Sequence, residues 1–312
     1  MEYLMTLFAI ILAGAFGSFL NVVVWRLPHG MSLVRPGSHC PKCGHAIRPG
    51  DNIPLFGWLR LRGKCRDCKC GISMRYPLIE AVCMLLGGLL ASIFLIAGWP
   101  GSGTNSLFWD GLAQARLAMS ESPLLAPDPI ALLPTACIPV AAWFFYFYLV
   151  LAFGLIEYDQ KRIPGTLRIA AIVLLLISFS YSWILSSPLD SGLRTGENFL
   201  LRALSGAQEG FLCGMLTLPL AALPWCRTSV RPPVRFLHWW PDWLIMATLT
   251  GSYFAGLTLP SAWGYEAQHA TFLMLLLTTL FINMAWVTSG KTLSFLTLFV
   301  ISLTLLVLTA CG

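Results

Sequence analysis

Five carboxylates lie in or beside long apolar stretches of this 312-residue chain: Glu80, Glu157, Asp159, Glu209 and Asp242. Acids there are expensive to desolvate, which makes them functional candidates by default. Glu157 and Asp159 begin the polar end of AFGLIEYDQKRIPGT, residues 152–166, straight after an uncharged run. Two residues apart, their side chains would diverge by about 200° on a continuing helix. Pro164 biases Ile163 away from helical angles, so the chain can unwind nearby. A working pair therefore takes one member from Glu157 or Asp159 and the other from Asp242. Two carboxylates brought close together share a proton, so one acts as base on a water while the other acts as acid. That is aspartic-protease chemistry. The bland alternative is that these acids only mark where apolar helices meet water.

A second constellation is Cys40 and Cys43, then Cys65 and Cys68: two C-x2-C pairs separated by twenty-one residues. Each pair on a tight turn aims two thiolates at one ion, and two such turns complete the tetrahedron that zinc prefers. Four cysteine ligands leave no open coordination position, so the ion holds a fold rather than performing chemistry. Disulfides are the competing reading, and a reducing compartment argues against them. Cys70 is a fifth thiol able to replace Cys68, and His39 and His45 flank the first pair as alternative ligands. The remaining five cysteines, Cys83 among them, are scattered along apolar spans as small buried residues.

The elements that must position these residues are membrane spans. The chain is 57% hydrophobic and 11% charged, with a mean hydropathy of +0.73, against roughly a quarter charged residues in soluble domains. Eight apolar stretches approach the roughly 20 residues a spanning helix needs: about 3–25, 77–98, 134–156, 167–187, 207–225, 241–259, 270–288 and 292–310. The expected fold is an all-α polytopic membrane protein. Residues 1–25 form the first helix, 26–76 a cytoplasmic four-cysteine domain, and 77–312 a seven-helix membrane domain with an outer insertion at 99–133. The first span lacks a basic leader and a cleavage site and is expected to remain in the mature protein.

Residues 26–76 hold ten of the twenty Lys and Arg residues, which places them on the cytoplasmic side. Alternation then puts Glu157, Asp159 and Asp242 at the same face. The net charge of +6 fits an anionic inner leaflet and calls for no nucleic acid. Tryptophans such as Trp239, Trp240 and Trp243 are expected in interfacial belts, Asn21 to bond a neighbouring helix, and Glu80 to anchor the cysteine domain. Arg227, Arg231 and Arg235 read as a cytoplasmic loop meeting lipid headgroups, and His269 as an ordinary outer-loop residue.

GSFLNVVVWRLP at 17–28, CPKCGHAI, DNIPLFGWLRLRGKCRDC and ISMRYPLIE together resemble the prepilin peptidases, membrane aspartic proteases of bacteria. LIEYDQKRIPGTL is similar to that family's I-D-x-D-x-x-x-x-P-D stretch, and SGAQEGFLCGMLTLPL at 205–220 to its Gly-rich span. The resemblance implies cleavage of type IV prepilin or pseudopilin leaders at the cytoplasmic face of the inner membrane, serving a pilus or type II secretion. It also implies methylation of the new amino terminus with S-adenosylmethionine, although the sequence carries no nucleotide-type glycine motif.

On this resemblance Glu157 stands where the family has its first catalytic aspartate, Gly165 replaces the aspartate after the proline, and Asp242 stands for the aspartate of G-x-G-D. Trp239 and Pro241 replace those glycines, and Leu244 the lysine two residues on. Lost glycines remove tight turns, and a longer Glu arm displaces a carboxylate by an amount that can lower a rate about 10²-fold. Two outcomes remain open at this stage: a divergent active peptidase, or an inactive homologue serving as a binding or assembly module. A transporter, the third class, lacks any inverted repeat in its hydropathy.

Overall fold

The computed structural model describes residues 2–93, 129–186, 208, 211, 234–256 and 294–311. They are helical with no named strands; two isolated bridges occur, His39 with Ala46 and Lys64 with Gly71. The helices are α1 (Glu2–Arg26), α2 (Phe56–Arg60), α3 (Arg75–Ala91), α4 (Pro129–Tyr158), α5 (Gly165–Ser186), α6 (Val234–Gly256) and α7 (Ser294–Cys311). Six of the eight expected spans coincide with α1 and α3–α7. The span expected at 270–288, most of the one at 207–225, residues 99–128 of the insertion, Glu209, Arg227, Arg231 and His269 lie outside the described residues, as do the Trp239 and Trp240 side chains. The end of the insertion, 129–133, belongs instead to α4, and Arg235, expected in a loop, to α6. Among the described residues two helices are long and apolar enough to cross a bilayer, Tyr3–His29 and Val140–Tyr158; Gly165–Ile177 and Phe295–Thr304 are shorter apolar helices.

The chain divides into two compact units, Met1–Ala97 and Gly98–Gly312. In the first, α1 and α3 pack closely because small residues line their seam. A Cβ at Gly17 would lie 2.9 Å from the Glu80 Cα, and one at Gly87 would lie 2.5 Å from the Ala13 Cβ. Small residues are what allow apolar helices to approach where lipid offers no hydrophobic contrast. Asn21, buried in α1, donates to the Gly17 and Tyr76 carbonyls and so ties the end of α1 to the start of α3, the role expected of it. Arg26, also buried, turns its guanidinium onto the carbonyls of Ser32, Leu33 and Gly37, folding the chain back as it leaves α1.

The second unit has an aromatic core. Trp143, Tyr146, Phe147 and Phe153 of α4 are fully buried; Phe147 meets Phe299 edge-on, and Phe153 meets Phe295, both from α7. A buried hydroxyl network joins three helices: Tyr146 Oη lies 2.9 Å from Thr250 Oγ1 of α6 and 3.1 Å from Ser302 Oγ of α7. Buried polar groups must find such partners, so this network sets which faces of α4, α6 and α7 meet. Trp243, expected at an interface, is instead wholly buried against Phe295, with ring centroids 5.9 Å apart. Its area is better removed from both water and headgroups inside the bundle.

Candidate functional site

The cysteines of the first unit come together as expected. The two pairs sit on matching turns. Gly44 N–H donates to the Cys40 carbonyl and Cys40 N–H to His45 in one; Lys69 N–H donates to the Cys65 carbonyl and Cys65 N–H to Cys70 in the other. Gly44 takes a left-handed φ of 72° in the first turn, and Lys69 takes φ 61° at the same position of the second. Cys40, Cys43, Cys65 and Cys68 place all four Sγ atoms within 4.8 Å of one another, with 3.8 Å between Cys40 and Cys68 and 4.0 Å between Cys43 and Cys65. A tetrahedral ion with sulfur at about 2.3 Å requires edges of about 3.8 Å. The cluster therefore has the dimensions of a metal centre.

Backbone amides of Cys43 and Lys42 pull the Cys40 thiol down to about 6, and the amide of Cys70 lowers Cys68. Cys43, against the lowering pull of the His45 amide, is pushed up to about 12 by burial and the neighbouring thiols, so the fold favours thiolate at some positions of the cluster and not at others. Cys70 Sγ lies 3.5 Å from Cys40 Sγ, beside the four rather than among them. His39 and His45 are exposed, and His39 Nδ1 faces the Gly37 carbonyl, so neither belongs to the cluster. Asp51 braces the domain by holding both Arg66 and Arg60; these partners, Arg66 foremost, keep its carboxyl well below the usual carboxylate range.

Among the described residues, the acids of the second unit, Glu157, Asp159 and Asp242, lie toward one end of its helices. α4 does not wait for Pro164 to stop. Gln160 adopts φ 55°, its N–H donates to the Glu157 carbonyl, and Lys161 N–H reaches back to Ile156. This is a Schellman ending. It leaves Glu157 in the last helical turn and Asp159 just beyond it. The consequence is a clean separation: Glu157 is buried, at 8% exposure, while Asp159 is half-exposed.

Glu157 Oε2 accepts the Phe295 N–H at 3.1 Å, in the first turn of α7. A carboxylate there satisfies an orphan amide and complements the positive end of the helix dipole. Asp242 follows Pro241 inside α6 and is 2% exposed. Both of its oxygens accept from Arg168 of α5, Nε to Oδ1 and Nη2 to Oδ2. Such a fork is the strongest charge-assisted pairing available to a carboxylate. The environments of Glu157 and Asp242 are joined through Phe295, whose amide binds the first and whose ring packs on Trp243, next to the second.

Arg168 did not figure in the reading of the acids. Its signal was present, because an arginine within the apolar stretch 167–187 requires a partner. Which acid it takes is a matter of helix packing.

Comparison with known proteins follows these features. A model of the Bacterial Peptidase A24 N-terminal domain matches residues 11–94. A "Prepilin leader peptidase/N-methyltransferase" of Stutzerimonas stutzeri is 33% identical, over 69% of this chain and 76% of its own length. A "Type 4 prepilin-like proteins leader peptide-processing enzyme" of Escherichia coli O78:H11 is 37% identical over 66% of this chain and 76% of its own. A Myxococcus xanthus prepilin leader peptidase/N-methyltransferase reaches 52% identity over 28% of this chain. No solved structure matches. The fold and these likenesses define a helical protein with a cysteine-cluster insert and, among the described residues, two helices long and apolar enough to cross a membrane. The chain belongs to the prepilin leader peptidase/N-methyltransferase family.

Proposed function

We propose that this protein is a bacterial inner-membrane aspartic endopeptidase that binds the leaders of type IV prepilins or pseudopilins and cleaves them at the cytoplasmic face. The observation that carries the reading is the buried placement of Glu157 and Asp242, drawn from helices 85 positions apart, on either side of Phe295. In this reading Asp242, its charge offset by Arg168, removes a proton from water as the oxygen attacks the scissile carbonyl carbon. Glu157 supplies the proton to the amide nitrogen as the C–N bond breaks. Asp159 is the fallback acid, nearer to solvent.

Cys40, Cys43, Cys65 and Cys68 would hold a structural zinc ion, which supplies cross-linking of a small domain and no open coordination position. Methylation of the new amino terminus accords with the N-methyltransferase in the relatives' names, with S-adenosylmethionine the donor that the family resemblance implies.

A second reading has its own support. Both oxygens of Asp242 are taken by the Arg168 fork, and Glu157 anchors α7; both acids thus have structural work that an inactive homologue would retain. The test is prepilin cleavage by the purified protein in lipid, alongside Asp242→Asn, Glu157→Gln and Asp159→Asn. Cleavage abolished by Asp242→Asn and one of the other two is the expected result. Absence of cleavage across several prepilins, by zinc-loaded folded protein, overturns the peptidase reading in favour of a binding module.

A further inference from the structure

The insert that carries the cysteines also contains the turn Asn52-Ile53-Pro54-Leu55-Phe56, and the turn does not stand off in water. A Cβ placed at Gly14 of α1 would lie 3.3 Å from the Pro54 Cβ and 2.8 Å from Met84 Cγ of α3. Leu55 N–H donates to Glu80 Oε2 of α3 at 2.7 Å. Gly14 is twelve residues below Arg26, where α1 ends, and Glu80 and Met84 are five and nine residues above Arg75, where α3 begins. At 1.5 Å per residue the turn therefore reaches roughly 8–18 Å along these helices, past the arginines at their cytoplasmic ends.

Backbone at such depth is admissible only if its polar groups are satisfied within the protein. From Pro54 to Gly57 the donors are accounted for one by one. Pro54 has no N–H. Leu55 N–H goes to Glu80, Phe56 N–H to the Pro54 carbonyl, and Gly57 N–H to the Ile53 carbonyl. The Phe56-to-Pro54 bond closes a tight three-residue turn on Leu55, at φ 62° and ψ −51°, a strained conformation for a leucine. Gly57 permits the closure, since any Cβ there would lie 2.1 Å from the Asp51 carbonyl oxygen.

The turn sets apolar side chains outward after an exposed Asn52: Ile53 is 50% exposed and Phe56 63%, and Leu59 of α2 is exposed as well. Arg60, Arg62 and Lys64 follow directly and are also exposed.

We propose that residues 53–59 form a re-entrant wedge that sets Ile53, Phe56 and Leu59 among the acyl chains of an anionic bilayer, docking the cysteine domain to the membrane from which it emerges. Lipid fits because α1 and α3, against which the turn packs, also expose apolar side chains, Ile11 of α1 and Leu78 and Leu85 of α3. Behind the tip, Arg60 is held by Asp51, and Arg62 and Lys64 complement anionic headgroups at the level where the chain leaves the hydrocarbon. Glu80 positions the wedge rather than meeting lipid. This docking does not depend on whether the protein cleaves leaders.

The experiment uses the full-length protein in vesicles of phosphatidylcholine and phosphatidylglycerol, with p-benzoylphenylalanine placed singly at Ile53, Phe56 or Ile47, the last being an exposed residue on the first cysteine turn. After irradiation, mass spectrometry of the peptides should find acyl-chain adducts at positions 53 and 56 and none at 47. In the position-56 protein, Glu80→Gln, which keeps an acceptor for Leu55, should retain the adduct. Glu80→Ala should lose it while the metal stays bound. Adducts at 53 and 56 only to protein, whether another helix of this chain or a second copy, would overturn the proposal. So would a position-56 residue left without adduct and open to a water-soluble quencher.

Discussion

Removing the guanidinium from the Arg168–Asp242 fork gives the sharpest test of how the second unit is built. Arg168→Gln leaves a carboxylate that is 2% exposed without its fork. Breaking a fully buried pair costs about 3–5 kcal/mol. Arg168 is itself 37% exposed, so water reaches the site from one side and the figure must be discounted. About 1–3 kcal/mol remains. Asp242→Asn should fall in the same range, since it leaves the guanidinium facing a neutral amide.

The double variant Arg168→Gln with Asp242→Asn removes both charges, leaving amides that can still pair. It should recover part of the loss, with a coupling of about 1–2 kcal/mol in the cycle. The assay is reversible unfolding in mixed micelles, followed by near-ultraviolet dichroism of the tryptophans, because Trp243 adjoins the pair. Additive losses, with coupling within about 0.5 kcal/mol of zero, would refute the claim that the fork holds α5 to α6. Prepilin cleavage measured on the same four proteins separates the two functional readings. Under the peptidase reading the double variant regains stability and not activity.

Two further outcomes follow from the geometry. Glu157→Gln keeps an oxygen for the Phe295 N–H and should unfold within about 0.5 kcal/mol of the parent, whereas Glu157→Ala strands a buried amide and should lose about 1–3 kcal/mol in the same unfolding measurement. Metal retention should fall as the pH is lowered: thiolates bind and thiols do not, so protons compete with the ion for Cys40, Cys43, Cys65 and Cys68, and zinc measured by colorimetric release should leave on acidification and stay bound as the pH rises.

Much of the first unit was legible in its residues. Two C-x2-C pairs admit few arrangements, because each turn is local and the ion's tetrahedron dictates the rest; Cys40, Cys43, Cys65 and Cys68 accordingly meet at the expected spacing. Helices were legible too in the described apolar stretches, since apolar length is a one-dimensional property, and two of them, Tyr3–His29 and Val140–Tyr158, are long and apolar enough to cross a bilayer. The boundary of α4 was less so. Pro164 drew attention, yet the helix ends earlier through the left-handed Gln160, a choice that glycine would have advertised and glutamine does not.

By itself, then, the sequence determined a helical membrane chain with a four-thiol cluster and the family to which it belongs, because hydropathy, ligand spacing and motif order are all carried along the chain. Only the tertiary structure decided what each acid meets. In sequence, Glu157 and Asp159 both remain candidates to pair with Asp242, and nothing says what any of the three touches. Helix packing buries Glu157 on the amide of Phe295, leaves Asp159 toward solvent, and brings Arg168 across 74 positions to Asp242. It also folds Leu55 back onto Glu80. Such pairings depend on which faces of separate helices come together, and that is settled by the close fit of buried side chains, a property no single segment contains.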